Sequence, residues 1–480
     1  MRIHVVLKYI GVVLLMNSLL MCVAMGVSLA YGMDDGFYPL LTGALISFVL
    51  GVFPYIFIKE KYDISKKESY MIVVFSAIAS CIVGSIPFLL TGGEFTWANA
   101  WFESVSGYTT TGSSILNNVE ALPKSIIFWR SCTHLLGGAG IIIYALALLP
   151  MMSKSRASLS NVELSPFVQD NYKFRMQKAV QIILYVYFTL IVLEMILLHV
   201  AGMTWFDAVN HSFSTIATGG FSTKNMSIAY YNSVWIEIIL MTFMMLASIH
   251  LGLLFSTITT RRNNIFRSEV TRFYLITIGT AVLLITLSLW ISETYGFVDS
   301  LRYGAFQVIA TISTTGFATA DTVLWPAMAI MVIIYVGFNG GCAGSTAGGI
   351  QTDRMLLIYK SLRGQFLHMR HPNAVVKIRM GGKNIDDNLV TATLIFALFF
   401  ILVVLTGTVI TTAIGVDLMT SFSITLSSIS NIGPGLGEIS SLGNFSSLPD
   451  FAKIIQTVIM VAGRLQLFGF FQILIFSSWK

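Results

Sequence analysis

Short polar-to-glycine stretches interrupt hydrophobic sequence four times in this chain: Thr110-Thr111-Gly112, Thr218-Gly219-Gly220, Thr314-Thr315-Gly316 and Asn431-Ile432-Gly433. The chemistry such a stretch offers is cation coordination by the main chain. Glycine lets the backbone turn its carbonyl oxygens inward, because it reaches φ > 0 without a steric cost. Rings of carbonyls replace the water around a dehydrated potassium ion, and neighbouring threonine and serine hydroxyls add further oxygens. One loop supplies one wall of such a site, whereas four surround an axis.

The last glycines of successive loops lie 108, 96 and 117 residues apart, so a unit of roughly a hundred residues is repeated. Each unit reads as a spanning helix, a segment too short to span, the glycine loop, and a second spanning helix. The short segments are 97–105, 205–213, 298–308 and 416–424. Such a segment enters a bilayer as a half-helix only where protein shields its backbone ends or water fills the space around them. Aimed at the axis, its C-terminus would present unpaired carbonyls carrying about half a negative charge, which favours a cation. A single Thr-Thr-Gly or Thr-Gly-Gly reads as a turn or a helix-packing site. Four copies between the same flanking segments carry the inference.

With 55% hydrophobic and 11% charged residues over 480 positions, and a mean hydropathy of +0.78, the chain lacks the polar surface of a soluble domain. Apolar segments long enough to cross a bilayer, about 20 residues each, start near Tyr9, Phe37, Tyr70, Ile126, Ala179, Trp235, Phe273, Asn388 and Phe451, and another is broken between Leu324 and Leu362. These read as ten crossings, the first a retained helix rather than a cleaved signal. The net charge of +6 comes from clusters that follow alternate spans. They are Lys59, Lys61, Lys66 and Lys67; Lys154, Arg156, Lys173, Arg175 and Lys178; Arg261, Arg262, Arg267 and Arg272; and the run 354–383. By the positive-inside rule these loops and both termini are cytoplasmic, and the glycine loops open outside. The charge is therefore topological and does not point to nucleic acid. Cys22, Cys81, Cys132 and Cys342 lie in or beside apolar segments without CxxC spacing and read as small core residues.

The loops 106–112, 211–223 and 431–437 resemble the filters of Trk-type potassium uptake subunits. So do Gly340-Gly341-Cys342-Ala343-Gly344-Ser345-Thr346-Ala347-Gly348-Gly349-Ile350, His371-Pro372-Asn373-Ala374-Val375 and Gly463-Arg464-Leu465. In order, the set spans nearly the whole chain and is most similar to the TrkH/TrkG branch of the Trk/Ktr/HKT superfamily. The resemblance implies an all-α polytopic membrane protein with four pseudo-fourfold M1-P-M2 pore units preceded by two N-terminal helices. The divisions would be 1–66 for those helices, then 67–160, 161–265, 266–383 and 384–480 for the units. It further implies a homodimer in the bilayer of a bacterial inner membrane, and a cytoplasmic regulatory subunit that binds nucleotides. The twelve residues named at the outset would coordinate potassium through their backbone. Glycine at all four filter positions matches potassium-conducting relatives, whereas serine at the first is the pattern of sodium-preferring plant relatives.

Five glycines, Gly340, Gly341, Gly344, Gly348 and Gly349, surround Ser345 in the second helix of the third unit. Each costs about 1 kcal/mol relative to alanine in a helix, so the segment 339–349 is expected to be a loop. In the family pattern it crosses the pore below the filter as a gate; the plain alternative is a kink. Arg464 lies near the middle of the final span, where a charge costs at least about 2.5–3.5 kcal/mol. It reads either as an electrostatic brake on cations or as a hydrogen-bond partner of the glycine-rich loop, against a snorkelling arginine. Glu103 in the first short segment reads equally as a structural bond behind the filter or an ion contact. Glu194, His199 and Glu237 receive no role, and His250 reads as a core histidine. Gln466 and Gln351 stand where the family usually has glutamate and lysine, which leaves the electrostatics of the gate open.

The function expected is potassium uptake down an electrochemical gradient, with no covalent chemistry. Proton- or sodium-coupled symport in the same fold is the nearest rival, and it needs an intramembrane carboxylate on the axis, where the sequence offers no clear one. A membrane-embedded enzyme is the rival from another class, but there is no HExxH, no plausible GxSxG and no paired aspartates at helical spacing. No nucleotide-binding fingerprint is present, so nucleotide control would come from a partner. The run 354–383 is a candidate docking site for that partner or for anionic lipid headgroups.

Overall fold

The computed structural model describes residues 2–58, 66–148, 176–260, 265–373, 377–437, 439–465 and 467. Within them the chain is helical apart from one two-residue hairpin, Arg379–Met380 paired with Lys383–Asn384. The helices are α1 (Ile3–Ala30), α2 (Phe37–Phe57), α3 (Lys66–Thr91), α4 (Trp97–Tyr108), α5 (Lys124–Leu148), α6 (Met176–Val200), α7 (Trp205–Ile216), α8 (Val234–Ser248), α9 (Leu251–Thr260), α10 (Glu269–Ile291), α11 (Phe297–Ile312), α12 (Ala327–Asn339), α13 (Thr352–Arg370), α14 (Asp387–Ala413), α15 (Leu418–Ser430) and α16 (Asp450–Arg464). Six described stretches are long and apolar enough to cross a membrane, in α1, α2, α3, α6, α10 and α14. Lys59, Lys61, the cluster Lys154 to Arg175, Arg261, Arg262, Gln466 and the last part of the final expected span lie outside the described residues.

Helices α1 and α2 pack closely because glycine faces glycine. A Cβ on Gly11 would stand 2.7 Å from the Gly51 carbonyl oxygen, and one on Gly51 would stand 2.8 Å from that of Gly11. Serines close the same seam, with Ser47 donating to the Leu14 carbonyl at 2.7 Å and Ser18 to that of Ala44 at 2.9 Å. In an apolar solvent these contacts replace the hydrophobic drive that joins helices in water.

The four short helices α4, α7, α11 and α15 share one local design. At 12, 12, 16 and 13 residues they rise about 18–24 Å, less than the roughly 30 Å hydrocarbon core. Thr96, Thr204 and Asp417 cap three of them by accepting from the amides of Asn99, Asp207 and Thr420. All four end in the same turn. The amides of Thr110, Thr218, Thr314 and Asn431 return to the carbonyl three residues back, and those of Thr111, Gly219, Thr315 and Ile432 to the carbonyl five back. That pair of bonds is a Schellman ending, which needs a left-handed residue at its centre. Thr110, Thr218, Thr314 and Asn431 supply it at φ 50°, 55°, 56° and 54°.

Several expectations need correction. The short helices run on to Tyr108, Ile216, Ile312 and Ser430, and the fourth starts at Leu418 because Asp417 is its cap. Their terminal carbonyls are not all unpaired, since the Schellman amides take two in each. The span expected from Trp235 is two helices, α8 and α9, bent by 98°. At the bend Cys342 donates its amide to the Ser248 carbonyl at 2.8 Å, and the His250 Nδ1 accepts from Gly252 and Leu253, capping the second piece. Cys22 is exposed while the other three cysteines are buried.

Each short helix packs between the long helices that precede and follow it, and also against the end helix of the neighbouring copy: α5 on α7, α8 on α11, α12 on α15, and α16 back on α4. The chain order thus closes into a circle. For the α1–α2 seam, Gly11→Val is expected to lower the thermal melting point in detergent, with a cost of about 1–3 kcal/mol for the intruding methyls. A melt identical to that of the unaltered chain would mean the helices separate freely.

Candidate ion pathway

The second left-handed residue of each loop is its glycine, and there the four copies meet. Gly112, Gly220, Gly316 and Gly433 have φ of 82°, 86°, 79° and 105°. A Cβ built on Gly112 would lie 1.9 Å from the Gly219 carbonyl oxygen, on Gly220 2.0 Å from that of Thr315, on Gly316 1.9 Å from that of Ile432, and on Gly433 2.6 Å from that of Thr111. Each glycine is therefore seated on the carbonyl of the next copy, and the fourth returns to the first. The residues named from the sequence at these loops are brought together in one closed ring. Two further bonds join the last copy to the first: Asn431 Nδ2 donates to Thr111 Oγ1 at 2.9 Å, and Ser113 Oγ donates to the Gly433 carbonyl at 2.9 Å.

On one side the ring opens into a cavity of about 320 Å³ lined by all four glycines together with Ser113, Asn117, Lys224, Asn225, Ser441 and Asn444, among others. Among the described residues, no carboxylate lines it. On the other side lies the glycine-rich segment, non-helical from Gly340 to Gln351. It begins one residue later than expected, since Asn339 closes α12. Gly340, Gly344 and Gly349 have φ of 69°, 79° and 79°. The Gly348 amide donates to Thr314 Oγ1 at 2.9 Å, Thr218 Oγ1 donates to the Thr346 carbonyl at 2.9 Å, and Thr346 Oγ1 donates to the Ile216 carbonyl at 3.0 Å. A Cβ at Gly348 would stand 2.3 Å from the Ser430 carbonyl oxygen. The segment is thus pressed against three of the four loops, on two of them through the left-handed threonines Thr218 and Thr314.

Arg464 ties the segment to α5. Its guanidinium donates to the Thr346 carbonyl at 2.6 Å and to the Gly137 carbonyl on α5 at 3.0 Å. Of the two roles read from the sequence, the geometry is that of a hydrogen-bond partner of the glycine-rich loop. Gly341 and Gly344 sit against the α8–α9 bend, where their Cβ positions would meet Ser248 and the His250 ring; the Ser345 hydroxyl donates to the Cys342 carbonyl at 2.6 Å. The Ala343 amide donates to Asp353 at 2.6 Å, and Thr352 Oγ1 donates to the Gly340 carbonyl at 2.9 Å, fixing the segment to the start of α13.

Glu103 is held by residues that follow the first loop and by α5. It accepts from Arg130 at 2.7 Å, from the Ser114 hydroxyl and from the Ile115 amide at 3.0 Å. Both ions are wholly buried, and Arg130 reaches further, to the Ser222 carbonyl at 3.3 Å and over the Phe221 ring at 4.1 Å. Leaving either charge alone there would cost more than the pair gains, so the two residues act as one structural unit. Arg130 had gone unnoticed in the sequence; a lone cation inside an apolar span, roughly one helix away from Glu103, was the available signal. His134 was also missed: its ring stacks on Phe221 and backs Gly219, whose Cβ would stand 2.4 Å from Nδ1. Glu237 pairs with Arg302 at 2.7 Å, joining α8 to α11; His199 stacks on Trp205; Glu194 is buried on α6, outside the ring.

The model of the TrkH family, described as cation transport proteins, matches residues 40–477. The Trk system potassium uptake protein TrkH of Halomonas elongata is 31% identical over 486 residues, covering 100% of both chains. The protein of the same name from Escherichia coli K12 is 33% identical over 88% of each chain. The crystal structure of the potassium transporter TrkH from Vibrio parahaemolyticus superposes with a TM-score of 0.90 at 29% identity, covering 100% of both chains. In sequence and in fold alike, the chain belongs to the TrkH family of cation transport proteins.

Proposed function

We propose that this protein takes up potassium across a membrane, passing it through the ring formed by residues 110–112, 218–220, 314–316 and 431–433. The observation that carries the reading is the closed cycle of glycine-on-carbonyl contacts. It gathers backbone oxygens from four copies around one axis, as replacement of a hydration shell requires. A membrane potential of about 100 mV supplies roughly 2.3 kcal/mol per charge, which is close to fiftyfold accumulation. Coupled symport would need a carboxylate at the ring, and among the described residues that line the cavity there is none.

The same reading makes 340–349 the gate and Arg464 its latch. Lying against Thr218, Thr314 and Ser430, the segment occupies the exit from the ring, and α13 leads from it into the basic run 354–383. A cytoplasmic nucleotide-binding subunit pulling on that stretch would move the segment, and a homodimer in a bacterial inner membrane with both termini inside fits the family. The five divisions of the chain follow the same scheme: two leading helices, then four pore units.

Two measurements test it. Gly316→Ser puts a side chain where the Ile432 carbonyl stands, and such overpacking costs about 1–3 kcal/mol, or roughly 5–150-fold. Radioactive rubidium uptake into proteoliposomes under a negative-inside potential should fall accordingly and lose its preference for potassium over sodium as competitor; undiminished, potassium-selective uptake would sink the filter assignment. Arg464→Ala removes the bonds by which the guanidinium ties the segment to α5, so uptake without any cytoplasmic partner should rise. Equal or lower uptake in that variant, with its melt unchanged, would speak against the latch.

A further inference from the structure

Four equivalent positions, four residues before the ring glycines, hold Tyr108, Ile216, Ile312 and Ile429. All are buried, and three are isoleucine. The exception breaks the fourfold pattern in a particular way. The Tyr108 hydroxyl donates to Asn17 Oδ1 on α1, a helix that belongs to none of the four copies. Asn17 is itself fixed: its Nδ2 donates to the Val13 carbonyl at 3.0 Å and to Ser80 Oγ on α3 at 3.1 Å. Room for the ring is made by Gly84 on α3, whose Cβ would stand 2.3 Å from the ring edge. The backbone of Tyr108 is seated on α5, where a Cβ at Gly137 would stand 2.3 Å from the Tyr108 carbonyl oxygen.

We infer that the Tyr108–Asn17 bond is a positioning device by which the leading helix pair sets the first ring stretch and with it the cation preference. The inference rests on the ring being the potassium site. Tyr108 is the last helical residue of α4, two positions before left-handed Thr110. A rotation of α4 about its axis would carry the Thr111 carbonyl off Gly433 and open the ring where its last copy meets its first. Isoleucine at the other three positions packs without directional restraint. A phenol bonded to an amide that is held by two further bonds fixes the helix in rotation as well as depth. Among the described residues α1 packs on α3 and α5 of the first copy, which brings Asn17 within reach of Tyr108.

The test compares the unaltered chain with Tyr108→Phe, Asn17→Leu and the double variant, measuring rubidium uptake in proteoliposomes against potassium and sodium competitors, with thermal melts alongside. Removing one bond should weaken discrimination between potassium and sodium by roughly 3–10-fold in either single variant. The double variant should be no worse than the singles, because both remove one shared bond. Tyr108→Phe removes a single oxygen and keeps the ring, so it decides the matter even if Asn17→Leu does not fold. Discrimination equal to the unaltered chain in Tyr108→Phe, whatever its melt, would overturn the inference and leave the bond a purely structural one. Absence of potassium-blocked uptake in the unaltered chain would remove the ring assignment, and this inference with it.

Discussion

A carbonyl oxygen and a glycine Cα cannot both occupy one place with a Cβ between them, and the centre of this molecule depends on that exclusion. Four glycines each yield the space of a side chain to the carbonyl of the next copy. Because the contacts run in a circle, no copy can shift without displacing its neighbour. The outer packing repeats the circle one layer out, with α5, α8, α12 and α16 each set against the short helix of the next copy. Two concentric cycles, one of backbone and one of helices, hold the same axis.

The ring is held under tension. Three of its four helix endings place threonine, a β-branched residue, at positive φ, where each costs about 1–3 kcal/mol. Asparagine, which tolerates that conformation better, occupies only the fourth. The threonine hydroxyls explain part of this arrangement: those of Thr218 and Thr314 bond the glycine-rich segment, which a glycine could not do. The turn that ends the helix and the surface that seats the glycine-rich segment therefore share these residues. The buried Glu103–Arg130 pair ties the chain before and after the first loop to the chain just after the second.

Much of this was legible in the sequence, because repetition exposes what a single motif hides. The four loops, the short helices before them and the break at Gly340–Gly349 were all readable from glycine placement and hydropathy. What escaped was set by contacts between copies. Hydropathy could not show that α8 and α9 bend by 98°, since the bend is stabilised by Cys342 and His250 rather than by a proline or a polar run. Nor could glycine placement show that each loop has two left-handed positions, because three of the first are threonines, which local propensity would place in extended chain. Arg464 was noticed as a charge within an apolar span, but its partners, backbone carbonyls on α5 and on the glycine-rich segment, exist only in the folded ring.

The most direct test of the account is to locate the ion. Crystals grown or soaked in rubidium, examined by anomalous scattering at the rubidium edge, are predicted to show density on the axis between the carbonyls of Thr111, Gly219, Thr315 and Ile432, lost when potassium is restored. Anomalous density confined to other parts of the molecule, with the ring intact and its centre empty of rubidium, would contradict the claim that these four loops are the cation site.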